Sequence, residues 1–120
     1  MARILVIDDE PRIRELLQKA LSSAGYEVIT AKDGSEGLTK CIHAAPDLVL
    51  VDLYMPDCDG MELISDLRKR FPKLTIFAMS GKYLADDLLR MVKLLGAKET
   101  FKKPFVIAEV LVTIEKALRS

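Results

Sequence analysis

The chain has 120 residues, half of them apolar and 30% charged, which is enough for one buried core in a single domain of ordinary size. Its 18 basic residues balance 18 acidic ones, and a formal net charge of zero argues against a general nucleic-acid binder. The wholly apolar runs are too short for a transmembrane helix, and the apolar stretch behind Arg3 is too short for a signal-peptide core, so a cytoplasmic location with no membrane partner is expected.

A first strand is expected at 3–7 (RILVI), where a short run rich in β-branched residues fits a pleated, buried surface. Over 11–24, Ile13, Leu16, Leu17, Ala20, Leu21 and Ala24 recur at steps of three and one, which gathers them on one helical face. Pro11 suits that helix's first turn and Gly25 its stop. A second strand follows at 26–30 (YEVIT), a helix at 35–44, and a third strand at 48–52 (LVLVD). Leu63, Ile64 and Leu67 mark a helix over 60–70, ahead of a fourth strand at 75–79 (TIFAM) and a helix at 84–95. A weaker strand at 99–102 (ETFK) and a helix at 106–118, carrying Val106, Val110, Ile114, Ala117 and Leu118, complete the pattern.

Five strand–helix pairs imply an α/β fold, a doubly wound parallel five-stranded sheet covered on both faces. The first, third and fourth strands are nearly continuous apolar runs, as strands buried on both faces should be. The second and fifth contain Glu27, or Glu99 and Lys102, and read as edges. Right-handed crossovers with those two outside give the flavodoxin-like order 2-1-3-4-5. The whole chain, 1–120, reads as one domain. Residues 1–66 carry 13 acids and 6 bases, and residues 67–120 carry 5 acids and 12 bases, so acidic and basic surfaces are expected to separate.

In such a sheet, sites form beyond the carboxyl ends of the strands, where the winding direction switches. The first strand's tip carries Asp8, Asp9 and Glu10; the third ends in Asp52; the fourth runs into Ser80; the fifth is followed by Lys103 and Pro104. Taken singly, Asp8 to Glu10 could serve a helix N-terminus, and Ser80 and Lys103 could be loop residues. Together they assemble carboxylates, a hydroxyl and an ammonium on one edge. Carboxylates held close repel one another unless a cation intervenes, and Mg2+ suits such oxygen ligands and often bridges to phosphate. The expected chemistry is phosphoryl transfer, with Asp52 attacking phosphorus, Lys103 neutralising the phosphoryl oxygens and Ser80 donating a hydrogen bond to one of them. A nucleotide site is not expected, because the first turn lacks glycines and neither a P-loop nor a GxGxxG motif occurs.

The stretches ILVIDDEP, DLVLVDLYMPDCDGMEL, FAMSG and KKPF, in this order and spacing, resemble the response-regulator receiver domain of two-component signalling over essentially the whole chain. The resemblance implies that Asp52 is the phosphoacceptor, Ser80 the switch hydroxyl and Lys103 the phosphate-binding lysine. It implies Mg2+, with Mn2+ as a substitute, held by Asp9, Asp52 and the backbone carbonyl of Tyr54, with Asp8 acting through water. It also implies a cis Lys103–Pro104 bond. The phosphodonor would be a sensor histidine kinase or phosphotransfer protein. The output would pass through the fourth helix, fifth strand and fifth helix to a downstream protein, a linked effector domain or a second copy of the chain.

One position departs from the family pattern. Thr100 stands where the family places a switch aromatic, and Phe101, one residue later, is expected to face the other side. Cys41 and Cys58 are expected to be free thiols and His43 a surface residue. The wide spread of apolar residues around 84–95 fits either a partner surface or a helix wrapped by loops. Two other classes stay open at this level: an interaction module that works without phosphorylation, and a hydrolase with an aspartyl nucleophile. A DDE run in place of DxD, and no segment long enough for a lid, weigh against the hydrolase.

Overall fold

The computed structural model describes residues 1–56 and 58–119; Asp57, inside the long central motif, and Ser120 lie outside the described residues. The main sheet has five parallel strands: β1 (Arg3–Ile7), β2 (Glu27–Ala31), β3 (Leu48–Asp52), β4 (Thr75–Ser80) and β5 (Ala97–Lys102). Their spatial order is β2-β1-β3-β4-β5, the doubly wound order expected from the apolar character of the strands. The helices are α1 (Pro11–Ser23), α2 (Gly34–Ala44), α3 (Gly60–Arg70), α4 (Asp86–Leu95) and α5 (Ile107–Arg119). A two-residue antiparallel ladder, Tyr54–Met55 with Cys58–Asp59, stands apart from the sheet just past β3.

Because side chains alternate along a strand, β1, β3 and β4 each feed both faces. Leu5, Ile7, Val49, Val51, Ile76 and Ala78 lie in the core under α2, α3 and α4. Ile4, Val6, Leu48, Leu50, Phe77 and Met79 lie in the second core, under α1 and α5. The three central strands therefore carry two apolar faces, which is why their sequences show no polar alternation.

Two boundaries move by two residues from their sequence-based positions, and several others by one. β5 begins at Ala97, two residues before the expected start, because a register shift beside Ile76 and Phe77 lets Ala97 pair with Ile76 while Glu99 pairs with Phe77. The fourth helix begins at Asp86 instead of 84. Leu84 is buried before the helix starts, and Ala85 is its N-cap.

Local chemistry fixes the loops that carry the site. α1 begins on Pro11 and ends where Gly25 takes a φ of 98°, a left-handed turn that glycine adopts without strain. The Asp59 carboxylate caps α3 by accepting from Met61 N at 3.0 Å and Glu62 N at 3.4 Å. Gly60 lies against the chain leaving β3: a Cβ there would stand 2.5 Å from Leu53 Cα and 2.7 Å from Asp52 O.

Candidate functional site

The carboxyl edge of the sheet gathers side chains from four strand ends. Asp8 follows β1 and is fully buried, Asp52 closes β3 at 2% exposure, and Ser80 closes β4 at 1%. Such burial is costly for charged groups unless each finds a partner. Tyr54 N donates to Asp52 Oδ1 at 3.1 Å, and Glu10 N donates to Asp8 Oδ1 at 2.9 Å.

Lys103 supplies the counter-charge. Its backbone N donates to Ser80 O at 2.7 Å, which ties the residue to the end of β4. The Lys103–Pro104 bond is cis, as the resemblance implies. The ammonium lies 2.7 Å from Asp8 Oδ2, 3.3 Å from Asp52 Oδ2 and 3.3 Å from Glu10 Oε1.

One ammonium among three carboxylates leaves excess negative charge, and burial shifts the acids further toward the protonated form. Burial pushes Asp52 up to about 6; the Tyr54 N–H opposes this, the Asp8 charge adds to it, and Lys103 pulls it back. Asp8 is also raised, chiefly by burial, against the hydrogen bonds from Lys103 and Glu10. Burial alone would lower Lys103, but its hydrogen bond to Asp8 and the charges of Asp8 and Asp52 overcome it, and the group is raised. Oxygen atoms of Asp8, Glu10 and Asp52 lie within 4.8 Å of one another. A set of hard carboxylate donors with unbalanced charge fits a small divalent cation that prefers oxygen.

The sequence-derived residues are thus brought to one edge, with two refinements. Glu10 belongs to the tight carboxylate set, a place the sequence did not assign to it. The signal was present: with Pro11 opening α1, Glu10 is the helix N-cap and stays at the strand tip. Asp9 stands beside that set and lines an open cleft of about 690 Å3 together with Glu10, Tyr54 and Lys82. Tyr54 places its backbone N–H on Asp52, and its ring on the cleft wall.

Ser80 does not face an anion in this arrangement. Its hydroxyl donates to Lys82 O at 2.7 Å and accepts from Lys82 N at 3.1 Å. Phe101 does face away from the site: it packs edge-on against Phe77 in the α1/α5 core, with centroids 5.6 Å apart. Thr100 Oγ1 is buried without a hydrogen-bond partner among the described residues. Cys58 lines the cleft, but burial first and then the charges of Asp59 and Asp33 push its thiol up, away from the reactive thiolate. His43 is exposed in the last turn of α2.

Comparison with known proteins decides the family. The response regulator receiver domain profile matches residues 4–115. The chain belongs to the receiver-domain family of two-component response regulators. The receiver is 40% identical over 120 residues to the alkaline phosphatase synthesis transcriptional regulatory protein PhoP of Bacillus subtilis, covering 98% of this chain and 48% of that protein. It is 32% identical to the transcriptional regulatory protein PrrA of Mycobacterium tuberculosis, over 98% of this chain and 50% of that one. It therefore spans about half the length of these curated relatives.

Among solved structures, the CheY-like receiver domain protein of Methanospirillum hungatei superposes with a TM-score of 0.93 at 29% identity, covering 99% of this chain and 94% of that one. The Thermotoga maritima response regulator TrrA, solved in complex with Mg2+-BeF, gives 0.87 at 36% identity, covering 97% and 98%. The receiver is accordingly a signalling protein and not a metabolic enzyme. Among the described residues no helix is long and apolar enough to cross a membrane.

Proposed function

We propose that the receiver accepts a phosphoryl group on Asp52 from a histidine kinase or phosphotransfer protein, in a Mg2+-dependent reaction, and passes the signal on through its α4–β5–α5 face. One observation carries this reading: a buried carboxylate at the tip of β3 sits 3.3 Å from a lysine ammonium and within 4.8 Å of two further acids. A structural ion pair needs neither the extra carboxylates nor the adjoining cleft.

Each residue has a role that follows from its position. Asp52, about 6 in its titration, is largely ionised at neutral pH and supplies the attacking oxygen. As its bond to phosphorus forms, the bond from phosphorus to the donor histidine breaks and the imidazole leaves with the electron pair. Lys103 is close enough to follow the developing charge on the phosphoryl oxygens. Ser80, at the next strand tip, donates to one of those oxygens once it releases Lys82. Asp9, Asp52 and the Tyr54 carbonyl, with Asp8 through water, would hold Mg2+, which would supply further neutralisation of phosphoryl charge.

The output face carries exposed apolar residues that the core does not use. Leu94 is 87% exposed, and Met91 and Val106 are more than half exposed. Arg90, Lys93, Lys98 and Lys102 stand among them. A basic, apolar surface suits a second receiver, a downstream protein or a linked effector domain. The longer relatives are named as transcriptional regulatory proteins, which supports the last of these.

The test is incubation with acetyl phosphate and Mg2+, followed by intact mass and peptide mapping. One phosphoryl group on Asp52, absent in Asp52→Asn and after chelation of Mg2+, is the expected result. Continuous turnover of phosphomonoesters with no acyl phosphate would replace this reading with the hydrolase.

A further inference from the structure

Ser80 and Tyr54 stand on separate strand ends, yet a single residue holds both. The backbone of Lys82 uses the full hydrogen-bonding capacity shown by the Ser80 hydroxyl: its carbonyl accepts the Oγ proton at 2.7 Å and its N–H donates to Oγ at 3.1 Å. The side chain of the same lysine crosses the cleft and places its ammonium 4.7 Å from the centroid of the Tyr54 ring. Tyr54 is in turn anchored to Asp52 through its backbone N–H. Asp52, Tyr54, Lys82 and Ser80 thus form a continuous chain of contacts around the mouth of the site.

This chain cannot stay closed once an anion is attached to Asp52. A hydroxyl has one proton to donate, and the Ser80 proton is given to the Lys82 carbonyl. Donating to a phosphoryl oxygen means giving up that carbonyl, so the turn 80–82 loses the bond that shapes it. The same anion attracts the Lys82 ammonium, and an exposed cation–π contact is weaker than a charge-assisted hydrogen bond to an anion. Both changes pull Lys82 away from Tyr54. Behind that pair, the cleft is lined by Leu53, Met55, Met61 and Leu88.

We infer that Lys82 is a positioning residue that couples the Ser80 hydroxyl to the Tyr54 ring, so that phosphorylation of Asp52 releases the ring and opens the apolar wall of the cleft. The inference rests on Asp52 being the phosphoacceptor. It adds a second consequence of the Ser80 hydrogen bond, in the cleft beside the chain that leaves β3, which Leu88 of α4 also lines.

The coupling is read directly from the ring signals of Tyr54 by NMR on the full chain with 13C-labelled tyrosine, assigned through Tyr54→Phe. Beryllium fluoride with Mg2+ serves as the phosphoryl stand-in, and its bound 19F signals report occupancy independently. In the native chain the Tyr54 signals are expected to shift on binding. Lys82→Met is expected to start near the shifted position and move little further, while Lys82→Arg restores the native response. Ser80→Ala is expected to displace the Tyr54 signals before any ligand is added, and to do so only when Lys82 is present, the pairwise dependence that a double-mutant cycle isolates. Bound fluoride with an unmoved Tyr54, or an equal Ser80→Ala effect in the Lys82→Met background, overturns the coupling alone. Absence of any bound fluoride that depends on Asp52 removes the phosphoacceptor reading, and the coupling with it.

Discussion

Lys103 Nζ lies 2.7 Å from Asp8 Oδ2, nearer than its 3.3 Å to Asp52 Oδ2. At rest the lysine therefore belongs mainly to the first strand's acid, and a phosphoryl group on Asp52 has to draw it across. The shift is short, because the Lys103 backbone is already pinned to Ser80 O. Replacing Lys103 with Met keeps the stem and removes the charge. Phosphorylation of Asp52 by acetyl phosphate is expected to slow by about 100-fold, the usual cost of losing one preorganised donor to developing charge. A time course by Phos-tag gel or mass spectrometry measures it. A rate within a few-fold of native would show that the ammonium plays no part in the transfer.

The raised titration of Asp52 makes the unligated site a source of instability. The unfolded carboxyl titrates near 3.8 and the folded one near 6, so the folded chain holds this proton more tightly. Stability from this group is greatest below the unfolded value, declines as pH rises from about 4 to 6, and stays low above that. Asp52→Asn removes the penalty, and Lys103 still has Asp8 as a partner. In chelator at pH near 7.5 the variant is expected to be more stable by roughly 1–3 kcal/mol, with the gain fading toward pH 4. Urea titrations of both proteins at several pH values give the answer. A constant difference across that range would mean that Asp52 is not the titrating group.

Asp9 and Glu10 make different claims on a cation. Both Asp8 oxygens are already engaged, by Glu10 N and by Lys103, and Glu10 Oε1 also faces Lys103. Asp9 lines the same open cleft as Glu10 but forms no ion pair with Lys103, so its carboxylate is left to a partly hydrated ion. Asp9→Asn is expected to raise the Mg2+ concentration for half-maximal phosphorylation by about tenfold or more, and Glu10→Gln by less than about threefold. Titrating Mg2+ at fixed acetyl phosphate compares them. The reverse ranking would transfer the main ligand role to Glu10.

What the sequence revealed depended on whether the physics was local. Runs such as LVLVD announce a strand buried on both faces because every residue in them must be apolar, and Asp52 stands out as the charge that ends one. Tip residues could be assigned because a parallel sheet sends all its carboxyl ends to one edge. The start of β5 was not legible, since Ala97 and Lys98 have weak strand character and join through a register shift against β4. Leu84 looked helical by periodicity, yet it is buried in the loop that precedes α4. The approach of Lys82 to Tyr54 could not be read from spacing, because it depends on how loops from different strands settle against each other.

Two glycines flank the site, and their surroundings separate a steric requirement from chance. A Cβ on Gly60 would stand 2.5 Å from Leu53 Cα and 2.7 Å from both Asp52 O and Leu53 O, all backbone atoms that cannot rotate away. A Cβ on Gly81, the residue after Ser80, would meet nothing within 4 Å. Gly60→Ala must therefore push α3 away from the end of β3 or displace Asp52 itself. It is expected to cost about 1–3 kcal/mol, the range for forcing extra atoms into a packed site. Gly81→Ala is expected to stay within about 1 kcal/mol of native, since it adds no clash and restricts the unfolded chain. Denaturant unfolding ranks the pair, and the phosphorylation rate shows whether Asp52 has moved. Equal stabilities would mean that the close passage of α3 over Leu53 does not constrain the loop carrying Asp52.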